Sequence, residues 1–153
     1  MNFSEYLQFL ARLEGQFVKL TEVEQKKIQA VQAADLDALN ICIRQEQALG
    51  LALRGLEQQR ESLVQQLGIS DNALCQLPER CPPELRQETM KTVESVLRQY
   101  QILKSTADSA RTLLECELHK VEHRLADKAG LETENLEENT VQIPSEMRTD
   151  FRI

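Results

Sequence analysis

The stretch that decides the fold is NFSEYLQFLARLEGQFVKL, residues 2–20. Its apolar residues Phe3, Tyr6, Leu10, Leu13, Phe17 and Leu20 follow one another in steps of three and four. A strand would alternate every second residue. This spacing gathers the six on one face of a helix and predicts a seam that packs on other helices. Asn2 is placed to cap the first turn, with Glu5 reaching back to form a capping box. The pattern meets Glu24 and resumes at Ile28 and Val31, so the first helix is expected over about residues 3–33.

Two further long helices follow. Asp35 is an N-cap for the second, expected over 36–67, with a seam at Leu36, Leu39, Ile43, Glu46, Leu49, Leu53, Leu56, Arg60, Leu63 and Leu67. The polar members Glu46 and Arg60, like Glu24, read as register or rim residues. Ala33-Ala34-Asp35 contains no glycine or proline, so a continuous or merely kinked helix through this point stays open. Gly68-Ile69 predicts a Schellman ending. Ser70 would cap a short connecting helix over 71–77 that Pro78 ends, and Pro83 suits the first position of a third long helix over 83–129. That helix has its seam at Val93, Val96, Tyr100, Leu103, Ala107, Ala110, Leu114, Leu118, Val121 and Leu125. Gly130-Leu131 repeats the glycine-apolar ending. The expected fold is all-α: an elongated antiparallel bundle or coiled coil of three long helices plus a short connecting one, over 1–130.

Residues 131–153 differ in kind. They hold six acids and two arginines, and their apolar residues keep no single period. By composition this is an acidic, disordered C-terminal tail, unless it rests on the bundle or on a neighbouring molecule.

Composition supports the helical reading and excludes several functions. The 153 residues include only five glycines and four prolines, too few for the turns of a sandwich or barrel. The net charge of −7 leaves no basic stripe for nucleic acid. The longest uncharged apolar run, Ala48–Leu53, is far below the ~20 residues that span a bilayer, so no membrane insertion is expected. The first residues lack the basic and apolar regions of a signal peptide. Cys42, Cys75, Cys81 and Cys116 form no C-x-x-C motif and read as reduced thiols. A cytoplasmic location is the expectation.

Helix lengths point to a binding surface. At ~1.5 Å per residue, the first two helices are roughly 45–50 Å long and the third roughly 70 Å. About 20 Å of the third, its C-terminal part, should project past the others. The stripe Leu114, Leu118, Val121 and Leu125 would then lack a partner in its own chain and become a docking site for a partner helix. Phe151 and Ile153 are the tail residues suited to cover it. The plainer alternatives are a tail that folds back for good, or two chains that cover each other as a homo-oligomer.

Little suggests catalysis. Residues 119–123 spell His-x-x-Glu-His, the inverted zincin pattern, and Cys116 lies one turn before His119. A metal-dependent hydrolase through His119, Glu122 and His123 would also need a distant third ligand, a cleft and usually a sheet. Two solvated histidines on a Glu-rich helix are the simpler reading. Cys75 and Cys81 flank Pro78, where a clip is conceivable and a reduced pair simpler. Neither an enzyme nor a cofactor is expected.

The order of these features resembles the FlgN-like flagellar export chaperones. The matching pieces are a leucine-seamed first helix and the opening Ala33-Ala34-Asp35-Leu36-Asp37-Ala38-Leu39 of the second. The closing Leu67-Gly68, and a long third helix closing at Gly130, complete the likeness over residues 3–130. Family members often carry a tyrosine before the closing glycine, and Leu125–Ala129 has none. The resemblance implies a cytoplasmic type III export chaperone. Such a protein binds the C-terminal helices of hook–filament junction proteins, prevents their premature assembly and delivers them to the export gate. The family's client-binding region lies toward the C-terminus. A helical interaction or scaffold module of another secretion or assembly system, including filament-cap-type chaperones, is the rival expectation.

Overall fold

The computed structural model describes residues 2–69 and 74–129. These residues are all-α, with no strand among them. Helix α1 spans Phe3–Gln32, α2 Leu36–Gln66, the short α3 Leu77–Arg80, and α4 Arg86–Ala129. One 3₁₀ turn, Leu74–Gln76, leads into α3 and another, Pro83–Leu85, leads into α4.

The ends of α1 show how sequence sets the boundaries. Asn2 accepts from the Ser4 amide, and the Glu5 carboxylate accepts from the Asn2 amide, closing the capping box. At the other end the Ala34 amide donates to Val31 and the Asp35 amide to Ala30, a Schellman motif. The helices are therefore separate, joined by a tight turn. The left-handed position falls on Ala34, at φ 53°. The Asp35 carboxylate then accepts from Ala38 at 3.0 Å and starts α2. The end of α2 follows the expected form: Gly68 is left-handed and the Ile69 amide donates to Val64.

The connecting segment departs from expectation. Pro78 lies inside the first turn of α3 instead of ending a helix over 71–77. A proline is tolerated there because the first-turn amides have no intrahelical acceptor. Residues 70–73 lie outside the described residues. Pro83 opens the 3₁₀ turn, and α4 proper starts three residues later.

Helix α1 packs against both α2 and α4. All six apolar seam residues quoted above are buried, joined by Leu7, Phe9 and Val23. Each such side chain contributes roughly 1.5–3 kcal/mol on leaving water. On the α2 side Lys27 meets Glu46, and Tyr6 neighbours Arg60, so α2 runs antiparallel to α1. On the α4 side Glu14 accepts from Ser95, and the Phe17 and Tyr100 rings sit 5.7 Å apart. Both numbers rise together, so α4 runs parallel to α1. Leu53, Leu63, Val64, Val93, Val96 and Leu103 complete one core with α1, closed at its lower end by Leu74, Leu77 and Cys81.

Four seam residues need correction. Leu36 is not in the core: it is 71% exposed at the start of α2, and Cys42 is buried a turn and a half later. The tight turn puts the first residue of α2 beyond the end of α1, where no helix among the described residues covers it. Glu24, Glu46 and Arg60 are not rim residues, since all three are buried.

Candidate helix-docking site

The side-by-side pairs on α1 and α4 lie 81 residues apart for Glu14 and Ser95, and a similar distance apart for Phe17 and Tyr100. In that register Gln32, the last residue of α1, stands level with about Leu114. Some 15 residues of α4 continue past it, about 22 Å at ~1.5 Å per residue. Burial follows the geometry. Ala110 is fully enclosed and Leu114 half-buried. Exposure then climbs through Leu118 at 36%, Val121 at 48% and Leu125 at 58%.

These positions stay on the face that packs on α1. Ala107, Ala110, Leu114 and Leu118 are spaced three, four and four, an eleven-residue step. Eleven residues make three turns of a nearly straight helix, so the stripe does not wander off that face. The stripe therefore prolongs the α1-facing seam. Its borders carry both signs: Glu115, Glu117 and Glu122 against Lys120 and Arg124, with Lys120 held to Glu117 at 3.1 Å. Phe151 and Ile153 lie outside the described residues.

Among the described residues, the α1–α2 turn is the floor of the space beside this end of α4. Ala33, Ala34 and Leu36 of that turn are exposed, as are Asp35 and Asp37. The last turn of α1 carries no basic residue. Arg111, level with this end on α4, has Asp108 at 3.9 Å.

The residues with metal-binding potential do not assemble. His119 and His123 are exposed, and His123 Nδ1 faces Asp127 at 3.6 Å. Among the described residues no three of His, Cys, Asp or Glu are grouped to hold a metal ion. All four cysteines are free. Cys81 is buried and donates its thiol to the Pro78 carbonyl at 3.2 Å, whereas Cys75 is exposed. The hydroxyls of Thr106, Ser109 and Thr112 donate to carbonyls of their own helix. Among the described residues no helix is long and apolar enough to cross a membrane.

Sequence reasoning missed a buried ionic cluster at the upper end of the α1–α2 contact. Lys27 Nζ lies 2.7 Å from Glu46 and 3.4 Å from Glu24. Burial first, and the facing Glu46 second, push the Glu24 carboxyl up from 4.5 to about 8, while Lys27 opposes the shift without cancelling it. A neutral Glu24 beside a Lys27–Glu46 pair avoids an uncompensated buried charge. The breaks in the seam at 24 and 46 were the visible signal. At the other end burial pulls the Arg60 guanidinium down, but Glu57 and Tyr6 outweigh it and hold it above its usual range. Burial raises the Tyr6 hydroxyl.

Compared with known proteins, the chain matches no family model, no curated protein and no solved structure.

Proposed function

We propose that this chain is a cytoplasmic chaperone of the flagellar type III export system. It holds the C-terminal amphipathic helix of a hook–filament junction protein and hands it to the export gate. In this reading the three long helices form an elongated bundle that serves as a handle, and the projecting end of α4 is the grip. One observation carries the proposal: the apolar face of α4 that packs on α1 continues about 22 Å beyond it, with Leu118, Val121 and Leu125 exposed. A contiguous apolar stripe with a mixed polar border suits a helix laid against it. The flagellar assignment draws on the order of sequence features that resembles the FlgN-like chaperones. No catalytic step is part of the reading.

The test is a double substitution, Leu118→Asp with Leu125→Asp, in the full chain. Both positions lie past the shared core, so the thermal transition should move by no more than the ~0.5 kcal/mol usual for surface changes. Each lost anchor is worth roughly 1.5–3 kcal/mol, so titration with a junction-protein C-terminal segment should show at least about a tenfold loss of affinity. Unchanged affinity in a folded variant would place the site elsewhere.

A further inference from the structure

We infer that the occupant of the α4 stripe is a helix of about four turns that stacks end-on against α1, its basic N-terminal turn on the α1–α2 turn. This rests on the reading just given and adds the occupant's length, direction and charge.

Length follows from the overhang. About 15 residues of α4 stand past Gln32, so a helix in the line of α1 has room for about 15 residues before α4 ends. Leu114, Leu118, Val121 and Leu125 would receive anchors spaced three and four apart, as the seam of α1 is met lower down. Leu36, unused by the core, gives the incoming end an apolar surface to rest on.

Direction follows from charge. The partial charges of the α1 C-terminus and the α2 N-terminus oppose each other at this turn. Asp35 and Asp37 remain, both exposed, and no basic residue lies in the last turn of α1. Arg111, the cation on α4 at this level, faces Asp108. The floor is therefore negative. A helix N-terminus with lysine or arginine in its first turn is the end that matches it. The occupant then runs parallel to α1 and α4.

The same charge argues against two other occupants. Residues 131–153 carry six acids and two arginines and would bring like charge to this floor. A second copy laid antiparallel would bring the end of its own α4, and the acidic segment that follows, to the same place.

Two 18-residue probe peptides test the inference. They share one leucine seam and differ in whether three lysines sit in the first or the last turn. Each is titrated by fluorescence anisotropy, at low salt, against the full chain and its D35N/D37N variant. Asparagine keeps the N-cap of α2 while removing charge. Comparing each peptide with itself cancels differences in peptide helicity. The N-terminally basic peptide should lose about three- to tenfold in affinity on D35N/D37N, and the loss should vanish at high salt. The C-terminally basic peptide should change less than about twofold. Equal losses, or a loss confined to the C-terminally basic peptide, overturn the inference and leave the docking site standing. If neither peptide binds, or if L118D/L125D leaves binding intact, the docking site itself fails and the inference with it. If L118D/L125D converts a dimer to a monomer in sedimentation, the occupant is a second copy. If deleting residues 131–153 tightens the N-terminally basic peptide more than about tenfold, the occupant is that segment. Either result overturns the inference.

Discussion

Replacing Glu24 by glutamine should flatten the pH dependence of stability. The wild-type carboxyl is 3% exposed and shifted from 4.5 to about 8 by burial and the facing Glu46. Between those values the folded chain holds a proton that the unfolded chain has released. Stability therefore falls as pH rises, by about 1.4 kcal/mol per pH unit. The contribution is fully present below pH 4.5 and lost once pH passes about 8. From pH 5.5 to 7.5 the loss attributable to Glu24 is on the order of 2–3 kcal/mol. For a domain of this size that lowers the melting temperature by several degrees. Glutamine keeps the shape and cannot ionise. Urea denaturation at pH 5.5, 6.5, 7.5 and 8.5, on wild type and E24Q, isolates the effect as a difference of slopes. The two chains should differ little at pH 5.5, and E24Q should be the more stable by pH 8.5. Parallel profiles over this range would refute the idea that burial beside Glu46 keeps Glu24 protonated.

Other expected outcomes are simpler. Ala34→Gly should stabilise the chain by about 0.5–1 kcal/mol in chemical denaturation, because Ala34 holds the left-handed position of a Schellman ending at φ 53°. Phe17→Ala should cost about 3–5 kcal/mol, since the ring is fully buried between α1 and α4 and packs on Tyr100. Replacing His119 and His123 together by alanine should change stability by no more than ~0.5 kcal/mol, and a larger loss that zinc reverses would mark a metal site.

The legibility of the sequence varied with what each segment packs against. The seam of α1 could be read residue by residue, because α1 is covered on two flanks and its apolar positions are nearly all used. The seam of α2 could not. Only one flank is covered, and Leu39, Ile43, Leu49 and Leu56 are half-buried while Glu46 and Arg60 go inside. Buried charges break the hydrophobic pattern, and only their partners in space explain them. The α1–α2 turn was ambiguous for a local reason: an alanine occupies the place where glycine usually advertises a helix end. The projection of α4 was legible from helix lengths alone. The negative floor beneath it was not, since Asp35 reads simply as the N-cap of α2 until the register shows α4 continuing past that level.

The position of α1 between its two partners has a consequence for synthesis. Of the long helices, α1 is the first to leave the ribosome. The three-residue turn lets α2 close on it with little loop entropy. The hairpin then waits with its other flank, around Phe17, uncovered until α4 has been made. Because α4 is aligned on α1 from near its own start, its first 25 or so residues are enough to seal that flank. The remainder emerges onto an already finished body. Substitutions in the last turns of α4 should therefore leave the yield of folded chain untouched, while substitutions at Val93, Val96 or Leu103 expose an aromatic surface on a half-made protein.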